Sequence, residues 1–532
     1  MTHSSPKAAV IAVGLVIQML FTLPVLAEDK AVFHRANEFE PATLDPHLAT
    51  DTASHTILRD TFEGLTSVNG AGEVIPGVAE SWDISEDGTT YTFHLRDDAR
   101  WSDGNPVTAT DFVYAWQRAI DPATASSYSF ILYPIKNAQE INEGKMDKSE
   151  LGIQATDDHT LMVNLEAPTP YFLELLYQPA TYPVVRKNIE QYGEKWTQPD
   201  HIISNGPFTL SDIVMQTTIS AKKSNQYWDK DNVALDEVVY HTVENANSGM
   251  LRYRSGELDM VNVPQEQIEW ARENLPDDLH IYTRLGTYYF GFNQEKPPFK
   301  DNPELRQALS MAIDRNIISE KISRGGQEPA YSIVPPQTAR HEPFMPEWAK
   351  LPRDEQIAQA KKLYQAAGYG PDNPLKLNLT YNTSEDQKQN AIAIASMWKS
   401  VLGVETSLQN MEWKVLLSQV KNKNSEVFRM GWSADYNDPF TFLEIFRSTS
   451  GNNYTGFANM QYDALLDAAA HEPDLKKRTQ ILHEAEKQFS DDHAIMPIFY
   501  YNQAILLKPN IEGFTPNAVN VIPSRFIRFS NH

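Results

Sequence analysis

Cysteine is absent from all 532 residues. No disulfide can form, no thiol is available to a redox or soft-metal site, and no acylation site exists for a lipid anchor. Basic residues are the next shortage: 46 Lys and Arg stand against 70 Asp and Glu, a formal charge of -24. A field of that sign disfavours nucleic acid and anionic lipid head groups; it favours solubility and says nothing of the fold. Internal repeats, low-complexity tracts and long linkers are missing, so the parts of the chain are closely joined. The motifs of common catalysis are missing too: no G-x-S-x-G elbow, no phosphate loop, no G-x-G-x-x-G opening a helix and no H-E-x-x-H pair. His483-Glu484 lacks its second histidine, and the 14 histidines are scattered. Carboxylates abound, but none stands out as an acid pair. Neither an enzyme nor a protein with a metal or cofactor is expected.

One long apolar run exists, over residues 8–26, after the single charge of Lys7 and ahead of Ala27 and Glu28. Gln18 and Pro24 interrupt it, leaving it short of the ~20 apolar residues of a membrane span. It reads as a cleavable secretory leader, residues 1–27. Its removal takes away one Lys and no acid, moving the charge from -24 to -25. About 505 residues remain, 41% of the whole chain being apolar, which is more than one core usually organises; two or three lobes are expected.

Period-two alternation predicts half-buried strands at Tyr91, Phe93 and Leu95, at Leu161, Val163 and Leu165, and at Leu375, Leu377, Leu379 and Tyr381. Asp157-Asp158-His159 reads as a polar turn between strands. A helix is expected over 354–367, with Ile357, Ala360, Tyr364 and Ala367 on one stripe and Gly368 at a left-handed stop. A second, over 385–402, has Ser384 and Gln387 at capping-box spacing and Gly403 at its end. Others are expected over 111–120, 304–323 and 475–489. Strands and helices interspersed from end to end argue for an α/β architecture.

Several exact runs carry more than periodicity does. GVAESW at 77–82, FHLR at 93–96, WSDG at 101–104, PVTA at 106–109 and Asp111-Phe112 closely resemble the signature region of the oligopeptide- and dipeptide-binding proteins of ABC importers. The resemblance continues through SNG at 204–206, RYRSGE at 252–257, YNTS at 381–384, EWK at 412–414, Gly431-Trp432, ADYN at 434–437 and Tyr500-Tyr501. The oligopeptide-binding branch, which includes murein-peptide binders, is the most similar.

This resemblance implies a two-lobed flytrap with an additional subdomain. Lobe I is expected from residues 28–62, 185–285 and 503–532, the extra subdomain from 63–184 and lobe III from 286–502, with two chain crossings as the hinge. It implies a periplasmic monomer without enzymatic activity that captures short peptides by lobe closure and delivers them to an inner-membrane ABC permease complex. The alternatives are the same transport class with another cargo, such as a dipeptide, murein tripeptide or non-peptide, or a periplasmic chaperone.

The family matches also nominate ligand-binding residues. Asp435 matches the acid that pairs with the peptide ammonium, though an Asp in a polar cluster can equally cap a turn. Arg429 matches an arginine facing the ligand carboxylate, an inter-strand ion pair being the other reading. Tyr128, Tyr289, Trp413, Gly431, Trp432 and Tyr501 match further positions; aromatic walls with polar tips suit a site open to many side chains. Tyr289 and Trp413 read equally well as core.

Three departures qualify the match. The family often joins the positions of Gly286 and Ser433 by a disulfide, and neither is Cys here. Its basic residues around the peptide carboxylate correspond to Gln387, Ser323 and Val420, and Gln387 also fits as the third residue of a capped helix. Arg284 replaces a tyrosine, and Gly291 stands where an acid can occur, which predicts a more positive pocket that accepts acidic side chains.

Overall fold

Tyr91, Phe93 and Leu95 all turn inward from the strand Thr90–Leu95, as their spacing requires. This strand lies in a four-stranded antiparallel sheet, in the order Ala79–Ile84, Thr90–Leu95, Thr160–Asn164, Ile153–Asp157. Leu161 and Val163 face its core with them, and Leu165 is buried one residue beyond the strand. The expected turn joins two of these strands, where the His159 amide donates to Asp157 Oδ1 at 2.8 Å.

The structure, a computed structural model, describes residues 1–3 and 30–530. All but the first three residues of the expected leader therefore lie outside the described residues. Among those described, no helix is long and apolar enough to cross a membrane. From Ala31 onward the chain forms one compact unit.

Ten of the described strands form one mixed sheet. Its order is Glu405–Met411, Lys376–Asn382, Val427–Ser433, Leu279–Phe292, Ile495–Leu507, Met260–Asn262, Val32–Asn37, Glu237–Thr242, Thr218–Lys223, Phe208–Val214. Two strands dominate the middle. Leu279–Phe292 and Ile495–Leu507 run antiparallel along each other, but their ladder is interrupted between Thr283 and Thr287 and shifts again at Tyr288. On one side of the interruption Ile495–Leu507 pairs with Met260–Asn262; on the other Leu279–Phe292 pairs with Val427–Ser433.

Tertiary packing corrects four sequence expectations. Lys376–Asn382 is not half-buried: it runs parallel between two strands with helices against it, and Leu379–Asn382 are buried on both faces. The helix Arg353–Ala366 stops before Gly368, whose φ is +89°, as expected, but buries Gln356 rather than Ile357, because the Gln356 amide reaches the Leu351 carbonyl at 2.9 Å. The helix Glu385–Leu402 has the expected limits, yet the Ser384 side chain makes no capping bond. The helix expected over 304–323 is broken after Ala312. There Ile313 is extended and Asp314 caps a new turn, which lets the buried Arg315 guanidinium donate to Ala330 O at 2.8 Å and Pro497 O at 2.7 Å.

Buried polar ties join distant segments. Glu63 accepts from Tyr227, Trp228 and Arg525, the ion pair being 2.8 Å long. Asp60 accepts from Tyr240 and Ser524. Residues 60–63, 227–240 and 524–525 are thus held together although they lie far apart in sequence. Burial outweighs the nearby Arg35 charge and these hydrogen bonds, and holds the Asp60 carboxyl above its usual range.

Candidate functional site

Val427–Ser433 pairs with Leu279–Phe292 along its whole length, but with Lys376–Asn382 only at Val427 and Phe428. From Arg429 to Ser433 its second edge is therefore open. The Ala434 amide donates to Leu285 O at 2.8 Å in line with this ladder, so the alternate residues Trp432 and Met430 direct their backbone groups at the partner strand. The backbone groups of Gly431 and Ser433 then point to the open edge.

That face of the sheet floors a cleft of about 390 Å³. Arg284, Tyr288, Arg429, Gly431, Ser433 and Tyr501 line it, with Gln387 and Trp413 at the starts of two helices. Period two explains the membership: Tyr288 lies opposite Gly431, and Gly286 opposite Ser433. A disulfide between the last two is impossible without cysteine, and the Arg284 guanidinium instead reaches Ser433 Oγ at 2.5 Å and Gln503 Oε1 at 3.4 Å.

Arg429 donates to Asn382 Oδ1 at 3.2 Å and to the Tyr501 hydroxyl at 2.9 Å, and its guanidinium lies 4.9 Å from the Tyr288 ring centre. Among the described residues, no carboxylate pairs with Arg429 or Arg284, and the Nε of each is buried without a partner. Two guanidiniums short of an anion thus face one cleft.

Gln387 lines the same cleft, and its Oε1 is buried without a partner, the capping box being unformed. Ser323 and Val420 are buried and do not line it. Gly291 does not either: a Cβ there would stand 2.6 Å from the Phe428 ring, so the position serves packing. Asp386, beside Gln387, brings an acid to the cleft lining along with Glu38. Burial, then the charge and hydrogen bond of Glu266, push the Asp386 carboxyl up to about 7.

Asp435, Trp432, Tyr128 and Tyr289 lie outside the cleft lining. Tyr289 turns to the other face of its strand, where it is buried with its ring centre 6.0 Å from that of Phe446. Trp432 follows the same alternation; its Nε1 is buried and unpartnered. Asp435 follows the strand end and is 8% exposed. Its backbone carbonyl accepts from the Tyr177 hydroxyl at 3.0 Å and from Gln178, while its side-chain Oδ2 has no partner. Burial pushes the Asp435 carboxyl up to about 7, against the Arg59 charge and the Tyr128 hydroxyl, which both favour ionisation. A buried carboxylate with a free oxygen is prepared for a cation.

Sequence reasoning passed over Tyr288, Arg59 and Asp386. Alternation tells only that Tyr288 and Tyr289 face opposite ways; the pairing of Tyr288 with Gly431, which the fold supplies, selects Tyr288 for the cleft. Arg59 and Asp386 carry no local signal; only the fold brings them to Asp435 and to the cleft.

Residues 63–184 and 286–502 also meet beside Asp435. The Tyr171 and Tyr436 rings stack at 4.5 Å and 7°, Glu174 accepts from the Asn437 amide at 2.8 Å, and Arg340 bridges Glu174 and Asp438.

The model of bacterial extracellular solute-binding proteins, family 5 middle, matches residues 73–454. This chain belongs to that family. Among family 5 relatives, the periplasmic oligopeptide-binding protein OppA of Escherichia coli K12 is 41% identical over 522 residues, 96% of each chain. The E. coli murein tripeptide-binding protein MppA superposes with a TM-score of 0.91 at 39% identity, over 94% of this chain and 99% of that one. OppA of Haemophilus influenzae in complex with RPPGFSPFR superposes at 0.90 and 34% identity, over 94% and 99%. Against the unliganded open form of MppA the score drops to 0.70, at 95% and 99% coverage. The arrangement of this family 5 chain is therefore unlike that open form.

Proposed function

We propose that this protein is a periplasmic peptide carrier: it closes on short peptides and presents them to an inner-membrane ABC permease complex. One observation carries the reading. Asp435 offers a buried, unpartnered carboxylate oxygen, Arg429 and Arg284 offer guanidiniums without a carboxylate, and the open strand edge of Gly431 and Ser433 lies between them in sequence. A peptide has an ammonium, a carboxylate and a backbone that can add to a strand edge. At ~3.3 Å per residue, the six steps from Arg429 to Asp435 span about 20 Å, room for an extended ligand of up to about five residues. The family relatives named for oligopeptides support the cargo.

Closure is a relative movement of lobe III, residues 286–502, against lobe I, residues 28–62, 185–285 and 503–532, and the subdomain 63–184. The ladder interruption at 283–287, opposite 500–502, supports a hinge there, since backbone rotation needs few broken ladder bonds. A ligand bridging the parts favours the closed state by its differential affinity. The protein acts as a monomer, exported by its leader, residues 1–27, and has no catalytic role.

Native mass spectrometry of the protein purified from periplasm, followed by denaturing release, tests the cargo. A mixture of peptides of about two to five residues is expected. Tri-alanine should bind at least about tenfold more tightly than its N-acetyl form, which cannot pair with Asp435. One defined non-peptide mass, or equal binding of the acetylated peptide, would overturn the reading.

A further inference from the structure

A second cavity, of about 210 Å³, shares no lining residue with the cleft. Its walls come from residues 130–175 and 436–471. The interior is aromatic: Tyr171, Tyr436 and Phe440 are buried, and Phe130 and Tyr133 are half-buried. One acid, the part-buried Glu444, lies among them, and the exposed Glu140, Glu166 and Asp467 stand at the rim. Against these four acids the lining sets a single guanidinium, that of Arg447, which is committed to Asp467. We propose that this cavity is a separate binding site for a small organic ammonium ion, whose charge meets Glu444 and whose alkyl body fills the aromatic interior.

The chemistry follows from the lining. The volume corresponds to roughly seven waters, room for one small organic molecule. Aromatic faces attract alkylammonium groups, and the attraction grows as water is excluded. The acid rim raises the local concentration of cations. The Tyr436 hydroxyl and Arg447 lie close enough to Glu444 to favour its ionised form, and a carboxylate has about four acceptor positions. Burial, together with the nearby Asp435 charge, pushes the Glu444 carboxyl up to about 7 although Arg447 and Tyr436 favour ionisation, so a cation in the cavity relieves an existing cost. Because both walls contribute, an occupant favours the arrangement in which residues 130–175 and 436–471 meet.

Isothermal titration of n-butylamine into the full chain, with and without saturating tri-alanine, tests this, with 1-butanol as the uncharged counterpart. One-to-one binding of the amine alone is expected, undiminished by tri-alanine, and weakened about tenfold or more by Glu444→Gln. Absence of amine binding, equal binding of butanol, unchanged affinity in the variant, or competition by tri-alanine would overturn the proposal; competition would place the amine at Asp435. Should Glu444→Gln fail to fold, the rim variant Glu140→Gln/Glu166→Gln carries the test: a loss of about two- to threefold is expected, and no loss overturns it. Failure of tri-alanine to bind while butylamine binds would count against peptide capture instead.

Discussion

The hydroxyl of Tyr501 rests directly over Gly431: a Cβ at that position would stand 2.2 Å from the oxygen and 3.0 Å from the ring carbon that bears it. Gly286 leaves the same ring its space from the neighbouring strand, where a Cβ would lie 2.7 Å from Tyr501 Cδ2. Both glycines are needed for lack of a side chain, which lets Tyr501 lie flat on the sheet and accept from Arg429. Gly431→Ala should lift the ring and unseat Arg429. Tri-alanine affinity is expected to fall about tenfold, with little change in the urea midpoint because the change is local. Calorimetric affinity within twofold of wild type would show that Tyr501 does not position Arg429.

Peptide affinity should depend on pH through Asp435. In the ligand-free protein its carboxyl is pushed up to about 7, while only the carboxylate can pair with an ammonium. Affinity for tri-alanine is therefore expected to be highest between about pH 7 and 8, to fall by up to about tenfold per unit as pH drops below 7, and to fall again above about pH 8 as the peptide amine loses its proton. Below pH 7 the peptide amine keeps its charge, so the slope there reports the protein. Asp435→Asn should bind weakly at every pH and show no slope. A flat wild-type profile between pH 5 and 7 would contradict the assignment.

Asp386 should affect stability in the opposite direction to an ordinary surface acid. Its carboxyl is raised from 3.8 to about 7, chiefly by burial and then by Glu266, with Glu38 adding to the effect. A raised carboxyl contributes stability that is complete near pH 4 and lost as pH rises through 7. Asp386→Asn is thus expected to raise the thermal midpoint by about 1–2 °C at pH 8 and to change it little at pH 4.5. Equal effects at both pH values would rule out the carboxylate contact as the cause.

Local patterns survive into the fold where one local force decides them. Gly368 and Gly403 stop their helices with φ of +89° and +76°, a conformation that favours residues without a Cβ. Alternation over Thr90–Leu95 survives because one face of a four-stranded sheet is wet. Patterns fail where a distant partner outbids the local one. The segment 304–323 breaks at Ile313 because Arg315 finds carbonyls on Ala330 and Pro497, the latter 182 residues away.

From the residues alone come the α/β class, the absence of disulfides, the acidic surface and the family, since these depend on composition, on short-range periodicity and on runs of identical residues. Only the tertiary structure decides that Tyr288 rather than Tyr289 lines the cleft, that Arg429 lacks an acid, and that Arg59 and Tyr128 come to Asp435. The reason is physical: charge and hydrogen-bond balance belong to groups within a few ångströms of one another, and here those groups come from segments up to hundreds of residues apart, which only the folded chain brings together.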